Sequence, residues 1–368
     1  MKLLLIIGCS LLNIVAYTQN QPVPLWQAIE FIKTVNIKGP TICPDKYGNT
    51  YMLTNQTNSS PFGGIRLVKY DTLGNILWKQ TSQPGIIGLF YGSFTVDSLG
   101  NSFVSLCYDG GLPDYDADAV MIKYASDGTK LWEVNYGLEN IGDSYVYFSE
   151  LDSASGNLIT LGMNLHESVP DENFLFVQSI DTSDGSAVWK TKMPGVFRPQ
   201  NMRIQTDHIQ ILATHYLPNG KYYMNSLLGF DGSLLVQYEK PYFGYEVDFN
   251  HISKTGDVIF GNRAFGYTVT RVDIKGDTLW RYEYPSSSEK NWVRGILEDD
   301  SMNVYATGAV EIPGLSTEMT TSRINSFGGL DWQNIFHSSD LNFGDSGNDI
   351  SLWSNVYSGV SDPPIPEL

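Results

Sequence analysis

The sequence predicts an all-β protein built from a repeated antiparallel unit, and three observations support this prediction. A Gly followed four residues later by a Trp recurs along the chain. A second pattern recurs with a similar period: a polar turn, then Asn or Asp, then one further residue and a strand-forming residue. The composition, with 13% aromatic residues and 35 Gly among 368 residues, suits strands joined by tight turns.

The first landmark is the pattern G-x-x-x-W. It occurs at Gly74/Trp78, Gly128/Trp132, Gly185/Trp189, Gly276/Trp280 and Gly328/Trp332, and Gly232/Val236 fits the same frame. Trp26 in "PLWQAIEFI" lies in register with these tryptophans, and successive positions are 44 to 57 residues apart. In each turn, Gly supplies the positive φ at which the chain reverses. A fixed period of this length indicates internal duplication.

The second landmark reads "GNTY", "GNSF", "GNLI", "GDVI", "MNVY" and "SNVY". An apolar strand such as "IRLVKYD" or "AVMIKYA" lies between the two landmarks. Each repeat therefore reads as four short strands, which is typical of a β-propeller blade. A single blade cannot bury both of its faces, so the blades are expected to stack on one another.

The repeats resemble the SBBP family of secreted β-propeller repeats. The likeness is strongest in "DADAVMIKYASDGTKLWEVNYG" and in "GDSGNDISLWSNVYSGV", and it extends over the whole chain after the N-terminal segment. The resemblance implies a propeller of about seven blades in an exported protein. It implies no particular reaction.

We predict seven blades, with six as the alternative, and a ring closed by the N-terminal strand around Trp26. The predicted boundaries are a signal peptide at 1–18, a propeller at 19–362 and a C-terminal tail at 363–368. Seven Asn-type landmarks, the six above and a degenerate member in "DHIQI" near His208, but only six "KY" strands are present. The closing blade is therefore expected to lack a strand or to use the tail.

The N-terminal segment predicts export. A single Lys precedes an apolar run from Leu3 to about Ala16, and small and polar residues follow it. No later run reaches the roughly 18 apolar residues of a membrane span. We therefore expect a protein that is secreted or displayed on the cell surface, with the periplasm as the alternative location. We also expect it to be a monomer.

The formal charge of −17 bears on the partners of the protein. A surface this negative repels phosphate backbones, so nucleic acid is not expected to bind. An extracellular protein or a glycan is the expected partner.

The connections of each predicted blade differ at its two ends. The first-to-second and third-to-fourth turns are tight, whereas the remaining connections are long and irregular. Variable loops on a rigid scaffold are where recognition concentrates, so ligand binding is expected at the long-loop end. Aromatic residues there could form platforms for sugars or peptides, or could pack between blades: Tyr91, Tyr115, Tyr145, Tyr147, Tyr242, Tyr245 and Trp292. His166 and His215 also fall in this region, with no nucleophile or third ligand beside them.

Asp114, Asp116 and Asp118 form a D-x-D-x-D sequence that resembles the start of a calcium loop. The Gly at loop position six and the terminal Glu of such a loop are missing. A solvated acidic loop is the preferred interpretation and a Ca²⁺ site is the alternative; no other cofactor is predicted.

The sequence favours a non-catalytic binding or scaffold module that acts through the long-loop end. The alternative is a carbohydrate-active enzyme, a glycosidase or lyase, with carboxylates at the mouth of the propeller channel. The chain contains neither a G-x-S-x-G elbow nor an H-E-x-x-H motif, and no catalytic residue is predicted.

Overall fold

The computed structural model describes residues 3–5, 41–56, 64–81, 93–109, 117–136, 143–165, 173–241, 249–261, 266–284, 291–312, 317–336, 347–353 and 356–361. The chain divides into two compact units. Lys33–Tyr242 forms the four-blade unit, and Met1–Ile32 together with Phe243–Leu368 forms the two-blade unit.

The first strand is β1 (Leu3–Leu5), which belongs to the two-blade unit. The four-blade unit consists of four-stranded antiparallel sheets in which neighbouring strands follow one another along the chain. Blade 1 comprises β2 (Thr41–Pro44), β3 (Thr50–Gln56), β4 (Gly64–Tyr70) and β5 (Ile76–Thr81). Blade 2 comprises β6 (Phe94–Val96), β7 (Ser102–Asp109), β8 (Ala117–Tyr124) and β9 (Lys130–Asn135). Blade 3 comprises β10 (Asp143–Leu151), β11 (Leu158–Leu165), β12 (Phe174–Ile180) and β13 (Ala187–Pro194). Blade 4 comprises β14 (Phe197–Ile204), β15 (Ile209–Leu217), β16 (Gly220–Leu228) and β17 (Leu234–Pro241).

The two-blade unit repeats this meander twice and adds a smaller sheet. Blade 5 comprises β18 (Phe249–Ile252), β19 (Val258–Gly261), β20 (Thr268–Val272) and β21 (Thr278–Glu283). Blade 6 comprises β22 (Trp292–Glu298), β23 (Val304–Glu311), β24 (Thr317–Ile324) and β25 (Leu330–Phe336). The smaller sheet contains β26 (Gly347–Trp353) and β27 (Val356–Ser361), with β1 parallel to β27 so that Leu3 lies opposite Tyr357.

The described residues contain strands and turns and no helix, which confirms the all-β class. No helix in this part of the chain is long and apolar enough to cross a lipid bilayer.

The prediction of seven blades is wrong. The described residues form six four-stranded sheets, and the remaining sheet has three strands. The "SNVY" landmark does continue into a strand, β27, which lies between β1 and β26 in the three-stranded sheet. The strand expected to close the ring, around Trp26, lies outside the described residues. The strand that joins the smaller sheet is β1, which falls within the predicted signal peptide.

The tight turns have a common chemistry, shown by Asp71 in "DTLGN". Its carboxylate Oδ1 accepts hydrogen bonds from the backbone N–H groups of Leu73 and Asn75, both at 2.8 Å. The Gly74 N–H donates to the Asp71 carbonyl at 3.0 Å, and Gly74 has a φ of 83°. This is a type I turn followed by a left-handed residue, which forms a bulge in the hairpin. The bulge appears as a register shift between Lys69 and Tyr70.

Neighbouring blades are joined by a contact between a tryptophan and a glycine turn. The Trp78 indole of blade 1 donates its Nε1–H to the Ser126 carbonyl in the last turn of blade 2, at 2.9 Å. The same ring lies against Gly128, where a Cβ would be 2.9 Å from Cδ2 of Trp78. Gly128 also has a φ of 89°, so glycine is required both by the backbone and by the space. We call this contact the indole–glycine joint.

The joint recurs in the four-blade unit, and its ring contact recurs in the two-blade unit. Trp132 donates to the Thr182 carbonyl at 3.1 Å, and Trp189 donates to the Phe230 carbonyl at 2.8 Å. Corresponding ring contacts are made by Trp132 with Gly185, Trp189 with Gly232 and Trp280 with Gly328. The G-x-x-x-W pattern therefore supplies a glycine for the joint with one neighbouring blade and a tryptophan for the joint with the other, except in blade 4, where Val236 replaces the tryptophan.

The cores of both units lie between adjacent blades. The second strands are buried along nearly their whole length, as in β11 and β23, whereas the fourth strands β5, β9, β17 and β21 alternate between exposed and half-buried residues. One cluster combines residues of blades 1 and 2, including Leu53 and Leu106, and another combines blades 3 and 4, including Leu161 and Ile211. Blade-on-blade packing of this kind is that of a β-propeller.

We predict that Gly128→Ala destabilises the protein more than Gly156→Ala. Both glycines have a positive φ, but a Cβ at Gly156 would meet nothing within 4 Å, whereas one at Gly128 would overlap the Trp78 ring. The backbone cost of about 1 kcal/mol is common to both variants, and overpacking adds about 1–3 kcal/mol at Gly128. Urea unfolding curves of the two variants measure the difference, and equal losses would contradict the joint.

Candidate functional site

Blade 4 presents the described part of the long-loop end in the four-blade unit. There the β13–β14 connection is the short segment from Pro194 to Phe197, and β15 and β16 are joined by a tight turn at Pro218 and Asn219. These two connections are shorter than the long loops expected at this end. They leave the ends of four strands side by side.

A row of cross-strand neighbours lies on one face of blade 4 at this end. Phe197 is opposite His215, and His215 is opposite Tyr222. The rings of Phe197 and His215 are stacked, with centroids 4.2 Å apart and planes inclined by 21°. Phe197 belongs to the core between blades 3 and 4, so it fixes one face of the imidazole on a rigid support.

Glu239 holds the histidine at its other edge. Nδ1 of His215 is 3.1 Å from Oε1 of Glu239, and Gln237 Nε2 donates to the same oxygen at 2.9 Å. The side chains of His215 and Glu239 are 16% and 28% exposed, so water and ligands reach both. A carboxylate on Nδ1 orients the ring and leaves Nε2 for proton transfer or ligand binding.

Gly195 leaves room beside Nε2 of His215. A Cβ at Gly195 would lie 3.1 Å from that nitrogen and 2.8 Å from the Phe197 ring. Gly195 also has a φ of 135°, a conformation that L residues rarely adopt. A side chain at this position would therefore crowd the second nitrogen of His215 and the Phe197 ring.

The sequence did not predict the His215–Glu239 pair. The two residues are 24 positions apart and lie on different strands, and their pairing follows from the register of β15, β16 and β17. Met224 lies opposite Glu239, two residues along β16 from Tyr222, so both rows share one face of the sheet. The period-2 alternation of these strands is the signal that could have placed both side chains on one face.

The predicted aromatic platform is described only in part. Tyr91, Tyr115, Tyr242 and Tyr245 lie outside the described residues, as does His166. The Tyr145 hydroxyl donates to Oδ2 of Asp143 at 2.7 Å. Tyr147 is 8% exposed, which leaves little of its ring for a ligand. Trp292 is half-buried in the two-blade unit, with the Arg294 guanidinium 5.6 Å from its ring centroid. The platform stays a prediction.

The predicted metal site also stays a prediction, because Asp114 and Asp116 lie outside the described residues. Oδ2 of Asp118 accepts a hydrogen bond from Asn135 Nδ2 at 2.8 Å. Within the described ranges, no group of three or more His, Cys, Asp or Glu side chains could hold a metal ion.

A cleft of about 740 Å³ opens at the tight-turn end, between blades 3 and 4. Glu150 and the turn from Asp152 to Ser155 line one side, and Ile204–Thr206 with Phe230 line the other.

Oε2 of Glu150 accepts a hydrogen bond from the Ile204 N–H at 2.8 Å. Burial raises the pKa of Glu150, and this effect exceeds the opposing effects of the Ile204 N–H and the Arg203 charge. Burial also raises the pKa of Asp152, but hydrogen bonds from Ser155 and from the Ala154 N–H have a larger effect, so the pKa of this carboxyl is lowered.

No protein-family model matches the sequence, and no curated protein matches it. Among solved structures, the fold is similar to that of a puromycin hydrolase, with a TM-score of 0.56 and 10% identity over 88% of this chain and 50% of that one. It is also similar to a PL25 polysaccharide lyase, an ulvan lyase bound to -[GlcA(1-4)Rha3S]-, with a TM-score of 0.54 and 9% identity over 83% of this chain and 84% of that one. A third similar structure is the polysaccharide lyase Uly1, with a TM-score of 0.51 and 11% identity over 95% of this chain and 91% of that one.

At these identities the likeness shows the fold alone. Together with the packed four-stranded meanders, it confirms the β-propeller fold that the repeats predicted. Membership of the SBBP repeat family stays a prediction. The chain spans about half the length of the puromycin hydrolase.

We predict that Gly195→Ala displaces the His215 ring, whereas Gly220→Ala does not. Both positions have a φ above 130° at the same end of blade 4, but a Cβ at Gly220 would meet nothing within 4 Å. The imidazole resonances of His215 in ¹⁵N NMR spectra should shift only in the Gly195 variant. A shift of equal size in both variants would show that backbone strain, not contact with the ring, is responsible.

We further predict that Glu150→Gln changes how stability depends on pH. Because the pKa of Glu150 is raised by folding, its stabilising effect is complete below the unfolded value of about 4.3 and is lost as the pH rises through the folded value. Wild type should therefore lose stability relative to Glu150→Gln across that range. Urea unfolding between pH 3 and 8 measures this difference.

The matched control is Asp152→Asn, at the other carboxylate of the cleft. The pKa of Asp152 is lowered, so its stabilising effect is present above the unfolded value of about 3.9 and is lost as the pH falls. The two variants should therefore depend on pH with opposite signs. The same sign in both would show that the burial of Glu150 does not govern its titration.

Proposed function

We propose that this protein is an exported enzyme that cleaves a uronate-containing polysaccharide by β-elimination at the loop end of blade 4. The His215–Glu239 pair carries the proposal, because it supplies a partly exposed imidazole whose Nδ1 is held by a carboxylate. Two of the similar structures are polysaccharide lyases, and one of them is bound to a glucuronate-containing saccharide. Their similarity extends over most of this chain, which supports the same class of reaction here.

In the proposed reaction, neutral His215 acts as the base. Nε2 takes the proton from the ring carbon that carries the uronate carboxylate. The C–H electron pair forms a C=C bond, and the bond from the neighbouring carbon to the glycosidic oxygen breaks. Glu239 stabilises the imidazolium that forms. Reprotonation of the leaving oxygen completes the step.

Tyr222 is the proposed donor of that proton. It lies directly opposite His215 across the β15–β16 pair, and its hydroxyl accepts a hydrogen bond from Asn219 Nδ2 at 2.9 Å. Since the tyrosine oxygen accepts this bond, its own proton is available to a leaving oxygen.

The local charge suits an anionic substrate although the whole chain carries a formal charge of −17. Arg198, Lys221 and Lys240 all lie within two residues of the loop end of blade 4, and the first two are exposed. By register they lie on the face of blade 4 opposite His215, so they act on an anionic polysaccharide through long-range attraction and not as part of the site.

The experiment incubates the purified protein with uronate polysaccharides and with neutral glycans, and follows the ultraviolet absorbance of the unsaturated product. His215→Ala should lower the rate by about 10²–10⁴-fold, which is the usual contribution of a general base. Glu239→Gln and Tyr222→Phe should lower it as well. His208→Asn is the matched control, because His208 lies in the β14–β15 turn at the opposite end of the same blade and pairs with Asp207.

Non-catalytic glycan or protein binding at the same end is the second candidate function. The half-buried His215 ring favours it, since it is held rigidly on the buried Phe197 and offers a polar contact without requiring chemistry. Saturable binding with no product would support this function and contradict the enzyme. Full activity of His215→Ala would contradict the assigned base.

A further inference from the structure

Near the tight-turn end of each blade, one residue of each strand lies opposite its neighbours across the sheet, and we call these residues the cross-strand row. In four of the described blades the third-strand residue of this row is Lys or Arg. These residues are Lys69, Lys123, Arg271 and Arg323. In each case the next residue of the row is the tryptophan of the repeat: Trp78, Trp132, Trp280 and Trp332. In blades 1, 2 and 6 the second-strand residue of the row is an aromatic ring beneath the cation.

The lysines of blades 1 and 2 close the space to the next blade. Nζ of Lys69 donates to the Ser126 carbonyl at 3.2 Å and lies 3.5 Å from Oδ2 of Asp45, the first residue of the preceding turn. Nζ of Lys123 donates to the Thr182 carbonyl at 2.7 Å. Ser126 and Thr182 are also the acceptors of the two indole–glycine joints. An ammonium and an indole N–H therefore share one carbonyl in each interface.

Blade 3 keeps the joint and lacks the lysine. Its row reads Glu150, Ile159, Ser179 and Trp189, so serine replaces the lysine and isoleucine replaces the aromatic ring. Trp189 still donates to the Phe230 carbonyl at 2.8 Å. A serine side chain ends one bond beyond Cβ, so it cannot reach the carbonyl that a lysine would reach.

The cleft between blades 3 and 4 lies where this lysine is missing. Its lining includes Phe230, the counterpart of Ser126, and Asp152, the counterpart of Asp45. Both groups that contact the Lys69 ammonium in blade 1 thus have equivalents in this cleft. Glu150 adds a carboxylate that the corresponding positions of blades 1 and 2, Cys43 and Thr95, do not have.

We infer that this cleft binds a primary alkylammonium group. The ammonium takes the place of the missing lysine Nζ, with the Phe230 carbonyl and the carboxylates of Asp152 and Glu150 as acceptors. The alkyl chain lies along Ile204 and the Phe230 ring. A lysine side chain of a partner peptide and a free alkylamine present the same chemistry. The site is at the opposite end of the blades from His215 and does not depend on the proposed enzyme activity.

The first experiment measures thermal unfolding of the full chain in n-butylammonium chloride, with sodium chloride and 1-butanol at equal concentration as controls. The melting temperature of wild type should rise saturably only with the ammonium, because a ligand that binds the folded state stabilises it. Glu150→Gln should weaken this response by about tenfold, the effect of losing one charged hydrogen bond.

Two variants exchange the properties of blades 2 and 3. Ser179→Lys should raise the melting temperature and abolish the response, because the new side chain fills the cleft. Lys123→Ser should lower the melting temperature and create a second responsive site, since it copies in blade 2 the vacancy of blade 3. If Ser179→Lys fails to fold, the comparison of wild type, Glu150→Gln and Lys123→Ser decides the question.

The source of the ammonium is separated by comparing Nα-acetyl-lysine methylamide with its Nε-acetylated form. Binding of the first alone identifies a lysine side chain as the ligand, and binding of n-butylammonium without either identifies a free amine. A wild-type response no larger than that to sodium chloride would overturn the inference. So would an unchanged response in Glu150→Gln, or a saturable response to calcium chloride with none to the ammonium.

Discussion

The contact on which each unit depends is the tryptophan that lies on a glycine turn of the next blade. In the four-blade unit it combines three requirements at one point: a bare Cα, a left-handed backbone and a carbonyl that accepts the indole N–H. The tryptophan is on the fourth strand, which is the edge of its sheet, so the joint covers an edge that would otherwise be open. The turn that ends one blade thereby completes the packing of the blade before it.

The strands and turns could be predicted from the sequence because their determinants are local. Asp71 bonds to Leu73 and Asn75 within five residues, and the alternation of β5 is visible in "ILWKQT". The blade count could not be predicted in the same way. The "SNVY" landmark has the local chemistry of a blade, but a four-stranded sheet also needs two further strands, and the smaller sheet takes β1 in their place. Its third strand comes from the other end of the sequence, which no local pattern reveals.

The candidate site shows a second limit of sequence analysis. Phe197, His215 and Glu239 come from three strands, and their contact depends on register. Two of the three strand pairs in blade 4 contain an irregularity or a bulge: β14–β15 between Pro199 and Asn201, and β16–β17 between Leu227 and Leu228. A shift of one residue would send a side chain to the opposite face, so spacing along the chain does not fix the pair. The two ends of blade 4 also differ in chemistry, with a histidine–glutamate pair at one and carboxylates around a cleft at the other.

The recurrence of the indole–glycine joint has a consequence for how such a chain can diversify. Blades 1, 2, 3, 5 and 6 each carry both a tryptophan and a glycine turn, whereas blade 4 has Val236 in place of the tryptophan. Blade 3 has Ser179 where blades 1 and 2 have a lysine, and the indole bond of Trp189 is still present. A pocket can therefore form between two blades where one side chain is absent, while the indole–glycine joint still holds the blades together.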